Sequence, residues 1–370
     1  MTSRGELRAL TSVRGIAAWL VVLYHIRRSI AGLPDTWLAV FARGYLAVDF
    51  FFLLSGFVIW LAWHDRLRRD GWRAAPAFLR KRIARIWPLH LAMLAAAFIL
   101  AIALAAARHH DPRVFPFGEL PLHVLLLQNW GFTDRLAWND PAWSISCELA
   151  AYLAFPLLVR AIDWRTVPST VLVVVGLCFL VLLHDRMANA GATSLGDDIT
   201  RFGLARCLAE FGTGTIVGAL WLRWRERPWW PFAGGVGVAT AMVAGSGCGI
   251  LPETLAFPIA FAAILLAVAL TSGMAQNPLD WRTIHYLGET SYATYLAHFL
   301  LFFVFKLAFV EDAHAVPPPL ITLYLAMVLS ASVALHHLVE RPAQAWVNRL
   351  RPTRATGPIK PPPTVPQALR

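Results

Sequence analysis

Arg14 and His25 lie eleven positions apart in one apolar run, residues 10–26. At 100° per residue that is about three helical turns, so both side chains face the same way, roughly 16 Å apart along the axis. Ionisable groups inside a membrane span are costly and mark function by default. A neutral imidazole has the pKa that a general base working on a hydroxyl needs. Taken alone, the pair also fits an arginine snorkelling to the interface and a structural histidine.

Asp49 stands before Phe50-Phe51-Phe52, where a carboxyl needs a partner or a proton. Trp143-Ser144-Ile145-Ser146-Cys147-Glu148 opens a later apolar run. Alternating the direction of successive spans puts Glu148 near the depth of His25 and Asp49, close to the outer surface. Three ionisable groups from separate helices at one depth form the constellation with the most chemistry. At the opposite, inner end, Arg82 and Arg85 sit one turn apart on a shared face. Two guanidinium forks there suit phosphate, although a basic run is also how a span is anchored.

Other candidates carry less. His298 falls inside an apolar run and either belongs to the core or lines a path. The order His336-His337-Leu338-Val339-Glu340 is not the H-E-x-x-H of zinc hydrolases, and His109-His110-Asp111 reads as a solvated loop cluster. Cys147, Cys178, Cys207 and Cys248 show no CxxC spacing, so neither a disulfide framework nor a metal site is expected. No serine or cysteine nucleophile stands out, and a covalent acyl-enzyme stays open.

The elements that must position these groups are helices in a bilayer. Hydrophobic residues make up 58% of the 370, charged residues 15%, and mean hydropathy is +0.56, against about half and a quarter in soluble domains. Runs such as 91–107, 171–183 and 255–270 are near spanning length, and too unalternating for barrel strands. The expected fold is therefore an all-α, polytopic integral membrane protein of about ten transmembrane helices. Spans are placed at 10–28, 44–64, 82–107, 143–161, 166–184, 201–222, 231–250, 254–272, 288–309 and 319–339, with a short re-entrant or interfacial segment at 120–128. The first span lacks a cleavage pattern and is expected to stay as a helix.

Basic residues concentrate in alternate loops: Arg4/Arg8, then Arg66–Arg69 with Arg80–Arg82, then Arg160/Arg165, then Arg223–Arg227. The positive-inside rule then places both termini in the cytoplasm, with Arg27, Arg28 and Arg43 as the exception. The net charge of +11 is spread over these loops, which argues against nucleic acid. Residues 1–342 form the expected transmembrane domain. Residues 343–370, with Lys360-Pro361-Pro362-Pro363, form a cytoplasmic tail expected to be disordered.

In this order and on these spans, the motifs resemble the membrane-bound acyltransferase-3 family. They are Arg14 with His25 after ten intervening residues, the run 44–56, Arg82-Ile83-Ala84-Arg85, the run 143–148, the run 291–298, and Val339-Glu340-Arg341-Pro342. Cys147 and Leu149-Ala150-Ala151-Tyr152 depart from the more polar run that often follows the family glutamate. A C-terminal extracytoplasmic hydrolase-like domain, fused to some members, is not expected.

The resemblance implies a bacterial cytoplasmic-membrane O-acyltransferase with a sugar-containing acceptor, a surface polysaccharide or glycolipid. The acyl group, usually acetyl, would come from cytoplasmic acetyl-CoA or another acyl-CoA, without a metal. Arg14, Arg82 and Arg85 would hold the CoA nucleotide and diphosphate. His25 is assigned as general base, with Asp49 or Glu148 orienting it or positioning the sugar. A transporter of glycolipid or polyol is the main rival, but repeat symmetry in matching halves is missing from the sequence. A scaffold would use the same polar groups only for packing.

Overall fold

The computed structural model describes residues 7–271 and 277–349. Its long helices are α1 (Arg8–Ile26), α3 (Ala47–Asp70), α4 (Ala75–Ala106), α6 (Ala142–Ala161), α7 (Ser169–Ala188), α8 (Ile199–Trp224), α9 (Trp229–Gly247), α10 (Glu253–Leu270), α11 (Arg282–Phe309) and α12 (Pro318–Leu335). Shorter are α2 (Asp35–Ala42), α5 (Leu120–Val124) and α13 (Arg341–Arg349). Among the described residues the only extended pairing is an isolated bridge between Ile30 and Val316.

Each segment expected to span has a helical counterpart, with boundaries moved. The helix expected at 82–107 begins at Ala75, so Arg82 and Arg85 sit about two and about three turns inside α4 instead of at its start. Pro76 opens this helix at a position where a missing N–H costs nothing. The segment expected at 120–128 is helical only over Leu120–Val124 and then becomes irregular. The disordered tail expected from residue 343 overlaps α13, which is helical to Arg349; residues 350–370 lie outside the described residues.

Among the described residues, seven helical stretches are long and apolar enough to cross a membrane, one of them the continuous stretch 35–106 that contains both α3 and α4. The helices α8 and α9 are not among the seven. Arg206 and Glu210 lower the hydropathy of α8, and repeated glycines lower that of α9.

The bundle turns large apolar side chains outward and buries polar groups within its hydrophobic core. Ile99, Val174 and Leu182 face outward, whereas Asp49, Arg206, Glu210, Thr290, Ser291 and His298 are buried. Large exposed apolar surface with buried charge is the pattern of a protein solvated by lipid, and this is a membrane protein.

Two close crossings set the positions of the polar groups. The helix α1 runs along α11, where Gly15 and Gly288 let the backbones touch. A Cβ on Gly15 would lie 2.6 Å from the Gly288 nitrogen, and one on Gly288 would overlap the Thr11 carbonyl oxygen. The helix α3 runs along α8 in the same way, with Gly214 against the Leu53 carbonyl and Gly56 against that of Phe211. Small residues at such crossings replace the hydrophobic driving force that lipid removes. Gly288→Val is expected to destabilise the protein by about 1–3 kcal/mol or more, read as a lower melting temperature in detergent. Gly234, with open space at its Cβ, is the matched control and should tolerate alanine.

Candidate functional site

The crossing of α1 with α11 delivers Arg14 to a cleft shared with α3, α4 and α6. The cleft holds about 880 Å³ of empty space, part of it open to solvent. Arg14, Arg82, Arg85 and Glu148 all line it, together with Ser55, Tyr152, Ser291 and Tyr292.

The three arginines are held differently. Arg14 donates from Nε to Ser291 Oγ at 2.9 Å and from Nη2 to the Gly288 carbonyl at 2.7 Å. Both acceptors are neutral, so its charge is fixed in place and not cancelled. Arg85 forms an ion pair with the buried Glu340 and lies 5.3 Å over the Tyr292 ring. Arg82 keeps a buried Nε with no hydrogen-bond partner among the described residues. Arg14 and Arg82 are therefore the guanidiniums with charge to offer an anion.

His25 does not line the cleft. Its Nδ1 lies 2.9 Å from the Val21 carbonyl and 3.2 Å from Nε2 of His298. The His298 Nδ1 in turn faces the Thr294 carbonyl at 3.2 Å. A carbonyl only accepts, so both Nδ1 atoms carry hydrogens, and in the neutral rings both Nε2 atoms are bare. The bare His298 Nε2 then accepts from His25, and His25 is left with its own Nε2 as a free base. Tyr295 joins the two regions: it lines the cleft, its ring centroid is 6.1 Å from that of His298, and its hydroxyl pairs with Ser144 Oγ at 2.8 Å.

Asp49 is elsewhere in the network. One carboxylate oxygen accepts from Arg206 Nη2 at 2.7 Å and Nε at 3.1 Å, and both side chains are sealed from solvent. Glu210, one turn along α8, is buried beside them. Arg206 also lies 5.3 Å over the Trp143 ring at the start of α6.

The expected gathering of His25, Asp49 and Glu148 is thus not what forms. Glu148 joins the arginines, Asp49 joins Arg206, and no hydrogen bond or ion pair links His25 to either carboxylate among the described residues. Shared depth does not imply shared azimuth around the bundle. His298, and not a carboxylate, is the side chain within hydrogen-bond distance of His25. Arg206 and Glu210 were missed, although an Arg and a Glu four apart inside the run 201–222 were a readable signal. Glu340 as the partner of Arg85 carried no such signal, because the two are distant in sequence.

A family model described as an acyltransferase domain matches residues 7–337. The chain is 31% identical to the acyltransferase MdmB of Streptomyces mycarofaciens, over 95% of each chain. It is 26% identical to the exopolysaccharide production protein ExoZ of Rhizobium meliloti strain 1021, over 82% of this chain and 90% of that one. A match to protein 2 in the picA locus of Rhizobium radiobacter is 36% identical, over 38% of this chain and 75% of the relative. No solved structure matches. With the family model spanning nearly all its described helices, the chain belongs to the acyltransferase-3 family and is an acyltransferase.

Proposed function

We propose that the protein moves an acyl group, acetyl in the simplest case, from cytoplasmic acyl-CoA to a sugar hydroxyl in a surface polysaccharide or glycolipid. The observation that carries the reading is the arginine cleft joined through Tyr295 to the His298–His25 pair, in which His25 Nε2 is free. Arg14 and Arg82 would hold the diphosphate and nucleotide of the donor, with Arg85 kept in register by Glu340. His25 Nε2 would take the proton from the acceptor hydroxyl as that oxygen attacks the thioester carbonyl, and return it to the departing thiolate. The Val21 carbonyl and His298 would together hold the ring in the tautomer that leaves Nε2 bare. Glu148, on the cleft wall, would position the acceptor. Asp49 enters as the partner of Arg206 and not as the group orienting His25.

The topology proposed is ten crossings of a bacterial inner membrane with both termini in the cytoplasm, α8 and α9 crossing as part of the bundle. The alternation of basic loops supports it. The relative named for exopolysaccharide production supports a carbohydrate acceptor.

The test is CoA binding and thioester consumption by purified protein in detergent. Arg82→Ala is expected to weaken CoA binding roughly 10- to 100-fold, the loss of one charge-assisted contact. No CoA binding and no thioester loss by wild type, even with cell-envelope extract as acceptor, would favour a transporter instead.

A further inference from the structure

The loop between α4 and α6 holds a second, small hollow, lined in part by His123, Gln128, Asn129, Asn139, Asp140 and Trp143. Three of its amides have spent their donors inward. Gln128 Nε2 donates to the Ala142 carbonyl at 3.2 Å, Asn129 Nδ2 to the Ile199 carbonyl at 3.3 Å, and Asn139 Nδ2 to the Leu296 carbonyl at 2.9 Å. Their oxygens, Gln128 Oε1, Asn129 Oδ1 and Asn139 Oδ1, are buried without a hydrogen-bond partner among the described residues. So are both ring nitrogens of His123. These four side chains are 5%, 1%, 3% and 2% exposed in that order.

Each unmet buried polar atom costs about 1–3 kcal/mol, so this concentration points to a ligand. The three amide oxygens require donors. A neutral His123 ring requires one donor and one acceptor. A hydroxyl supplies both. A cation would meet the amide oxygens but leave the His123 N–H unmet, and an anion would meet only repulsion from them. Burial pushes the Asp140 carboxyl up to about 6, which leaves it able to take or give a proton near neutral pH.

The position is as telling as the chemistry. Trp143 lines the hollow, and the next residue, Ser144, lines the arginine cleft. Asn139 is tied to Leu296, which lies between Tyr295 of the cleft wall and the histidine pair, two residues before His298. The hollow is partly open and has room for about one water-sized group. It admits a single hydroxyl and not a sugar ring.

We infer that this hollow is an acceptor subsite that takes one hydroxyl of a neutral sugar and holds the sugar on the His25 side of the arginine cleft. The inference rests on the acyl-transfer reading for the sugar's purpose, but the binding itself can be measured without transfer. Methyl glycosides of glucose, galactose, mannose and rhamnose would be tested by saturation-transfer NMR against wild type, Gln128→Met and Asn139→Ser in detergent. CoA affinity, read on the same samples, reports that each variant is folded.

At least one glycoside is expected to bind wild type and to lose affinity about tenfold or more in both variants, with CoA affinity kept. In the transfer assay the same glycoside should show a raised KM and little change in kcat. Binding equal in wild type and variants, or no glycoside bound by wild type, overturns the inference and leaves the hollow to ordered water. Glycoside binding that depends on Gln128 and Asn139 in a protein that neither binds nor consumes acetyl-CoA would keep the subsite and sink the acyl-transfer reading.

Discussion

His25→Ala is expected to lower acyl transfer by about a hundred- to ten-thousand-fold, the usual contribution of a positioned general base. CoA affinity should be nearly unchanged, because His25 does not line the arginine cleft. The paired variants at His298 sharpen the result. His298→Leu removes one of the two acceptors that His25 Nδ1–H meets, the one at 3.2 Å, and leaves the Val21 carbonyl to hold the ring alone. His298→Gln can offer an amide oxygen to the same N–H and should recover a good part of the rate. Both should fold alike, so a structural role would not separate them. Transfer by His25→Ala at a near-normal rate would remove histidine from the chemistry. Equal rates in His298→Leu and His298→Gln would remove only the orienting role.

Arg206→Met is expected to cost about 3–5 kcal/mol, because it strands Asp49 and Glu210 as uncompensated carboxyls in the core. Low yield and a lower melting temperature in detergent would report it. The triple variant Asp49→Asn, Arg206→Met, Glu210→Gln removes all three ionisable groups, and replacing a buried ionic group whole is often close to neutral. It should therefore recover most of the lost stability. The same protein then decides what Asp49 does: transfer retained in the triple variant assigns it to packing, whereas a folded but inactive triple variant assigns it to the reaction. A single variant stable within a few tenths of a kcal/mol would mean that the network contributes no net stability.

Much of the architecture was legible because its cause is local. A run such as 255–270 must be helical in lipid whatever surrounds it, since no water is there to meet its backbone. The ends were less legible. The helix α4 starts at Ala75, seven residues before the expected span, because a basic stretch is a good helix former even where it is a poor membrane segment. Hydropathy tracks the solvent, and the helix runs on past it.

The arginines were also readable: Arg82 and Arg85 share a face by spacing alone, and Arg14 shares one with His25 by the same rule. That they meet at one cleft depends on the Gly15–Gly288 crossing, a contact between positions far apart in the chain. Sequence determined which residues share a face and how far apart they lie along one helix, since rise and rotation per residue are constant. Only the tertiary structure decided which of them touch, because rotation about the helix axis and choice of neighbour come from packing. So Asp49 turned to Arg206, Arg85 to Glu340, and His25 to His298.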